Sequence, residues 1–142
     1  MGLLNRLFGN ADPIVKRSLA QLAPGRGYTL DIVGESRFQA ALSRVCGGKT
    51  AEGHKHEATA ELRFEQNPSD PNAIAVDIAG KQVGWIPSPT NAEIRREITA
   101  LTPTGLASCK AKIVGGWSKD GDEGHFGVKI SLSRPLKIVA ER

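Results

Sequence analysis

Aromatic residues make up only 5% of this 142-residue chain, and it holds two cysteines and one methionine. With so few aromatics, Trp85 and Trp117 become informative positions. Cys46 and Cys109 lie far apart with no CxxC pair, so neither a disulfide framework nor a zinc site can be read from them. Two reduced, packed thiols in a cytoplasmic protein are expected, with a single disulfide as the alternative. No apolar run approaches the ~18 residues of a membrane span. The opening Met1–Phe8 is too short and too interrupted to read as a secretory signal.

Catalytic patterns are also missing. No Ser-His-Asp arrangement, phosphate-cradling glycine loop or acid–base carboxylate pair is legible, and Ser36 and Ser69 have no base beside them. His54-Lys55-His56 with Glu57 gives no complete ligand set and reads as a solvated loop, without a metal. The expectation is a non-enzymatic protein with no cofactor. Its length suits one domain with a real core and a short appendage.

The net charge is +4. Residues 1–30 carry four basic side chains against Asp12 alone, and residues 104–142 carry seven against four acidic ones. The stretch between is slightly acidic. Basic ends permit nucleic-acid contact without requiring it, because this charge also serves solubility.

Periodicity supplies the elements. Leu3, Leu4, Leu7 and Phe8 suit one side of a helical turn. Asp12-Pro13 suits a helix start, with Ile14, Val15, Leu19 and Leu22 as its stripe. Tyr28–Val33 reads as a strand. Ser36 and Gln39 have capping-box spacing, before a helical stripe of Phe38, Ala41, Leu42 and Val45. Ala58–Glu65 alternates as a half-buried strand, and Ile74, Val76 and Ile78 continue the pattern. Gly80 marks a hairpin. Thr90 and Glu93 suggest a second capping box, with Ile94, Ile98 and Leu101 buried behind it. Ser108–Gly115 and His125–Ser133 are the last strands, joined by a Gly- and Asp-rich loop over Gly115–Gly124 that reads as mobile. Short antiparallel strands and two helices suit a partly closed barrel.

One stretch exceeds a generic hairpin. Asn67-Pro68-Ser69-Asp70-Pro71-Asn72 is a double-proline turn around a carboxylate, and it runs into Ala73-Ile74-Ala75-Val76. Proline fixes φ, so the turn is stiff. Asp70 and Asn72 either hold the turn through nearby amides or present a rigid carboxylate at a pocket mouth. A carboxylate repels phosphates but accepts a hydrogen bond from a hydroxyl.

Together with Ile32-Val33-Gly34 and Val83-Gly84-Trp85-Ile86-Pro87, this stretch resembles the HIRAN domain, over about Leu30 to Leu132. The resemblance implies an OB-like barrel that captures a single-stranded DNA 3′ end. It implies that Asp70 reads the terminal hydroxyl with Asn72 in support. Ser36, Arg37 and Phe38 would follow the first strand, Arg37 on a phosphate and Phe38 on a base. Phe38 also fits the core stripe of the first helix. Trp85 falls where family members have a pocket-lining aromatic or histidine, or else it is a core tryptophan. Trp117, near Lys110, Lys112 and Lys119, offers a stacking platform or closes the barrel end. Ser69 departs from the DNA-capturing members, which place an aromatic there; its loss forgoes ~1–3 kcal/mol of base stacking.

The expected molecule is mainly β. It is a six-stranded antiparallel OB-like β-barrel with two α-helices (residues 28–142) and a helical N-terminal extension (residues 1–27). Its expected role is binding single-stranded DNA or a DNA 3′ end in repair or processing. The alternative is a protein-docking module that uses the groove or the N-terminal apolar segment.

Overall fold

Alternating apolar residues recur from Ala58 onward, and they build the longest strands. A computed structural model describes residues 19–102 and 104–139. The strands are β1 (Ala20–Gln21), β2 (Leu30–Asp31), β3 (His54–Phe64), β4 (Ile74–Ile78), β5 (Lys81–Trp85), β6 (Ala107–Lys119) and β7 (Asp122–Ser131). The helices are α1 (Gln39–Cys46) and α2 (Thr90–Leu101), with a 3-10 turn at Glu35–Arg37. Six strands form one curled antiparallel half-barrel in the order β2-β7-β6-β3-β4-β5. The expected mainly β, barrel-like fold with two helices is what forms. No described helix is long and apolar enough to cross a membrane.

The inward positions follow the sequence alternation. Ala60 and Leu62 of β3, Ile74, Val76 and Ile78 of β4, and Cys109, Ala111 and Ile113 of β6 are buried. So are Phe126, Val128 and Ile130 of β7. Small residues face one another across the β3–β6 pair, Ala60 opposite Cys109 and Ala58 opposite Ala111. Leu42 of α1 and Ile94 and Ile98 of α2 are fully buried and complete this core.

Several local expectations change. The helical stripe expected to reach Leu22 gives way to β1, which pairs in parallel with Ala107–Ser108. Leu22 is a core residue, and Ala23 exchanges backbone bonds with Lys137 and Ser133. Within the described residues, the boundary after residue 27 corresponds to no break in packing. The Leu3–Phe8 segment and the Asp12-Pro13 helix start lie outside the described residues. His54-Lys55-His56 is the start of β3, not a loop.

The expected mobile loop over Gly115–Gly124 is a hairpin. β6 and β7 run on to a two-residue turn at Asp120-Gly121, both at positive φ (54° and 83°). That geometry matches the twist of antiparallel strands. Ala79-Gly80 turns β4 into β5 in the same way.

Neither capping box forms. α1 starts after Phe38, and Gln39 reaches across to β7, its amide bonding the Phe126 carbonyl and accepting from the Phe126 N–H at 2.9 and 2.8 Å. α2 starts after Pro89, and Glu93 pairs instead with Arg134 at 2.9 Å. Long-range partners win because each ties a helix to the rest of the barrel.

Both cysteines are free. Burial pushes the Cys109 thiol up to about 12, while Cys46 is half-buried and raised less. A thiol reagent at about pH 8 should therefore modify Cys46 slowly in the native protein. Cys109 should react only as the chain unfolds, because the thiolate is the reactive form. Two equivalents of rapid native labelling would contradict this packing.

Candidate functional site

Two of the sequence motifs meet across the seam of the barrel. Val33, two residues past β2, and Trp85 at the end of β5 exchange both backbone hydrogen bonds, N to O, at 2.9 Å. Close approach here requires glycine. A Cβ on Gly84 would sit 2.5 Å from Ile32 Cγ2 and 2.7 Å from the Val33 carbonyl oxygen. A Cβ on Gly34, which has φ 83°, would sit 2.5 Å from the Trp85 ring.

This seam keeps Trp85 out of the core. Trp85 is half-buried, with its Nε1 donating to Glu65 Oε1 at 2.9 Å. Gly34 bends the chain into the 3-10 turn, which delivers Arg37 and Phe38 to the same ring. The Arg37 guanidinium lies 5.6 Å from the ring centroid of Trp85, and Phe38 meets the indole edge-on at 5.5 Å and 61°. Phe38 and Trp85 are therefore partners in a surface cluster, not members of the buried core. Ser36 is exposed on the outside of the turn.

The Asp70 turn lies next to this cluster through Glu65, whose N–H bonds to the Ala73 carbonyl at 3.0 Å. Asp70 Oδ1 accepts from the Asn72 N–H and Oδ2 from Asn91 Nδ2, both at 3.0 Å. Asn91 is 3% exposed in the first turn of α2, so Asp70 pins the loop to that helix. Asn67 Oδ1 accepts from the Ser69 N–H at 2.9 Å. Asp70 does hold the turn, as the structural reading expects. Each of its oxygens still keeps a second lone pair.

Two grooves flank the turn. One, of about 350 Å³, is lined by Glu65–Pro68, Pro71 and Arg95. The other, of about 450 Å³, is lined by Asn72, Ala92, Arg95, Arg96 and Thr99. Arg95 belongs to both. Its guanidinium stacks 4.2 Å over Phe64, and Nη1 donates to the Ala73 carbonyl at 3.1 Å. Sequence reasoning missed Glu65, Arg95 and Arg96. The available signal was the Arg95-Arg96 pair directly after the buried Ile94, which turns charge outward from a core-facing helix.

Three expected site residues lie elsewhere. Lys110 and Lys112 sit on the outer face of β6, three strands from β5, roughly 14 Å by sheet spacing. Lys112 lies 4.7 Å over the Tyr28 ring, in a cross-strand row that reads Asp31, Lys129, Lys112, Glu57. That row sets two lysines side by side between two carboxylates, so its charges balance and it is no basic stripe. Trp117 covers Gly124 at the far end of the β6–β7 hairpin, beyond the His54 end of β3. The Asp70 loop leaves the other end of β3, roughly 30 Å of strand away. Lys110, Lys112 and Trp117 are thus not brought to the Asp70 turn.

Compared with family models, curated proteins and solved structures, the chain matches none.

Replacing Asp70 by alanine removes the acceptor of a buried amide. Asp70→Ala should cost about 1–3 kcal/mol in chemical denaturation. Asp70→Asn, which keeps an oxygen for the Asn72 N–H, should cost less. Equal stability of the alanine variant and wild type would mean that the Asn91 bond does not hold the loop.

Proposed function

We propose that this chain is a non-catalytic, HIRAN-like module that binds single-stranded DNA, with a 3′ end held at the Asp70 turn, in DNA repair or processing. The observation that carries this reading is the Arg37–Trp85–Phe38 cluster, joined through Glu65 to a groove lined by Pro68, Pro71 and Arg95 at the Asp70 turn. The half-buried Trp85, with an edge-on phenyl and a guanidinium beside its ring, offers one base a π surface and its phosphate a cation. Stacking through Trp85 and Phe38 compensates for the serine at position 69. The carboxylate of Asp70 accepts a hydrogen bond from a terminal hydroxyl and repels a terminal phosphate, which favours an end over an internal backbone.

The test is fluorescence anisotropy with labelled single strands bearing a free or a phosphorylated 3′ end. Wild type should bind the free end about tenfold tighter, the equivalent of one charge-assisted hydrogen bond. Asp70→Asn should narrow that gap while the fold is retained. Arg37→Ala should reduce the slope of log K against log salt by about 0.7, the share of one phosphate on a single strand. Equal affinity for both ends would remove end recognition. No binding at low salt would remove the nucleic-acid reading and favour a protein-docking role.

A further inference from the structure

The first half of β3 has a partner on one side only. β6 pairs with His54–Leu62, but β4 begins its pairing only at Ala60 and covers β3 to Phe64. Among the described residues, no strand pairs with the other edge of His54–Thr59. The direction of its free groups follows from the ladder. The Glu65 N–H bonds to Ala73 on the β4 side, and alternate residues point the same way along an antiparallel strand. Both registers of β3 are unbroken. Lys55, Glu57 and Thr59 therefore carry N–H and C=O groups towards the open edge. Lys55, His56, Glu57 and Thr59 are all exposed. A groove of about 670 Å³ lies beside this edge, lined by Val45, His56, Ala58, Ile78 and Gly80 among others.

We infer that this edge pairs with the same edge of a second copy of the chain. The argument is charge complementarity within the strand itself. An antiparallel pairing with its two-fold axis at His56 puts Lys55 opposite Glu57 of the second copy, and symmetry repeats that pair. Both are hydrogen-bonding positions on the open side, so the backbone pattern and the charge pattern select the same register. Shifting the axis to Glu57 would set the two Glu57 carboxylates face to face. Shifting it to Ala58 would oppose Lys55 to Glu61, whose edge β4 already occupies. Opposite charges directly across a strand pair stabilise it, and like charges oppose it. A charged edge also serves to discourage pairing, but the alternation of Lys55 and Glu57 is self-complementary in one register. This contact leaves Trp85 and the Asp70 turn uncovered, since they lie towards the other end of β3.

Charge exchange tests the register. Sedimentation equilibrium would be run at about 300 μM, suited to an interface smaller than the usual ~1,600 Å². Wild type should show concentration-dependent dimer. Lys55→Glu and Glu57→Lys, both at exposed positions, should each weaken association by about tenfold or more, because each sets like charges opposite one another twice. Mixing the two variants in equal amounts should restore dimer, since two acidic positions then face two basic ones. A wild-type protein that stays monomeric overturns the inference. So does a dimer that neither substitution weakens, or a mixture that does not recover.

Discussion

The pair of backbone hydrogen bonds between Val33 and Trp85 is the contact on which the rest of this architecture depends. In the sheet order, β2 and β5 are the two outer strands. The exchange between these two residues brings those edges together. A single pair of bonds succeeds only if the backbones approach closely, which explains Gly34 and Gly84 on its two sides. The same contact has a second effect. It fixes Trp85 at the seam with its ring outside the core, where the turn after Gly34 lays Arg37 and Phe38 against it. The candidate site is thus a direct consequence of how the half-barrel draws its edges together.

This accounts for what the sequence made legible. Ile32-Val33-Gly34, Val83-Gly84-Trp85-Ile86-Pro87 and the Asp70 turn are separated in the chain but adjacent in the fold. Their glycines and prolines answer to backbone requirements, and those leave local marks. The strands of alternating apolar residues were readable for a similar reason, since burial on one face imposes a period of two. What escaped was decided at long range. Gln39 has the spacing of a cap but bonds to Phe126 across the barrel. β1 exists because Ala20 and Gln21 find β6, which nothing in their own composition announces. Asp120-Gly121 was a local signal of a tight hairpin, obscured by the surrounding glycines, which suggested mobility.

Within the site, residue type was informative and charge count was not. Arg37, Phe38 and Trp85 came from motifs and meet in one cluster, with the Asp70 turn linked to it through Glu65. Lys110 and Lys112 came from a tally of basic residues near a terminus. A tally does not know which face of a strand a lysine occupies or which carboxylate stands opposite. On the outer face, Lys129 pairs with Asp31 at 2.7 Å, and Arg63 holds Asp77 at 2.9 Å. Much of the positive charge of the sheet is therefore answered within the sheet.

The charged groups around the grooves differ from surface lysines in being held. Arg95 is fixed by the Phe64 ring beneath it and the Ala73 carbonyl at its tip, so a ligand that meets it need not freeze a mobile side chain. Asp70 is fixed by the Asn72 N–H and the Asn91 amide. Its structural role and its proposed role in recognition are therefore not rivals. The bonds that anchor the turn occupy one lone pair on each carboxylate oxygen, and the same anchoring makes the other pair a pre-positioned acceptor. A carboxylate free to swing would discriminate poorly between a terminal hydroxyl and solvent. The recognition proposed for this turn would draw on the rigidity that folding already requires of it.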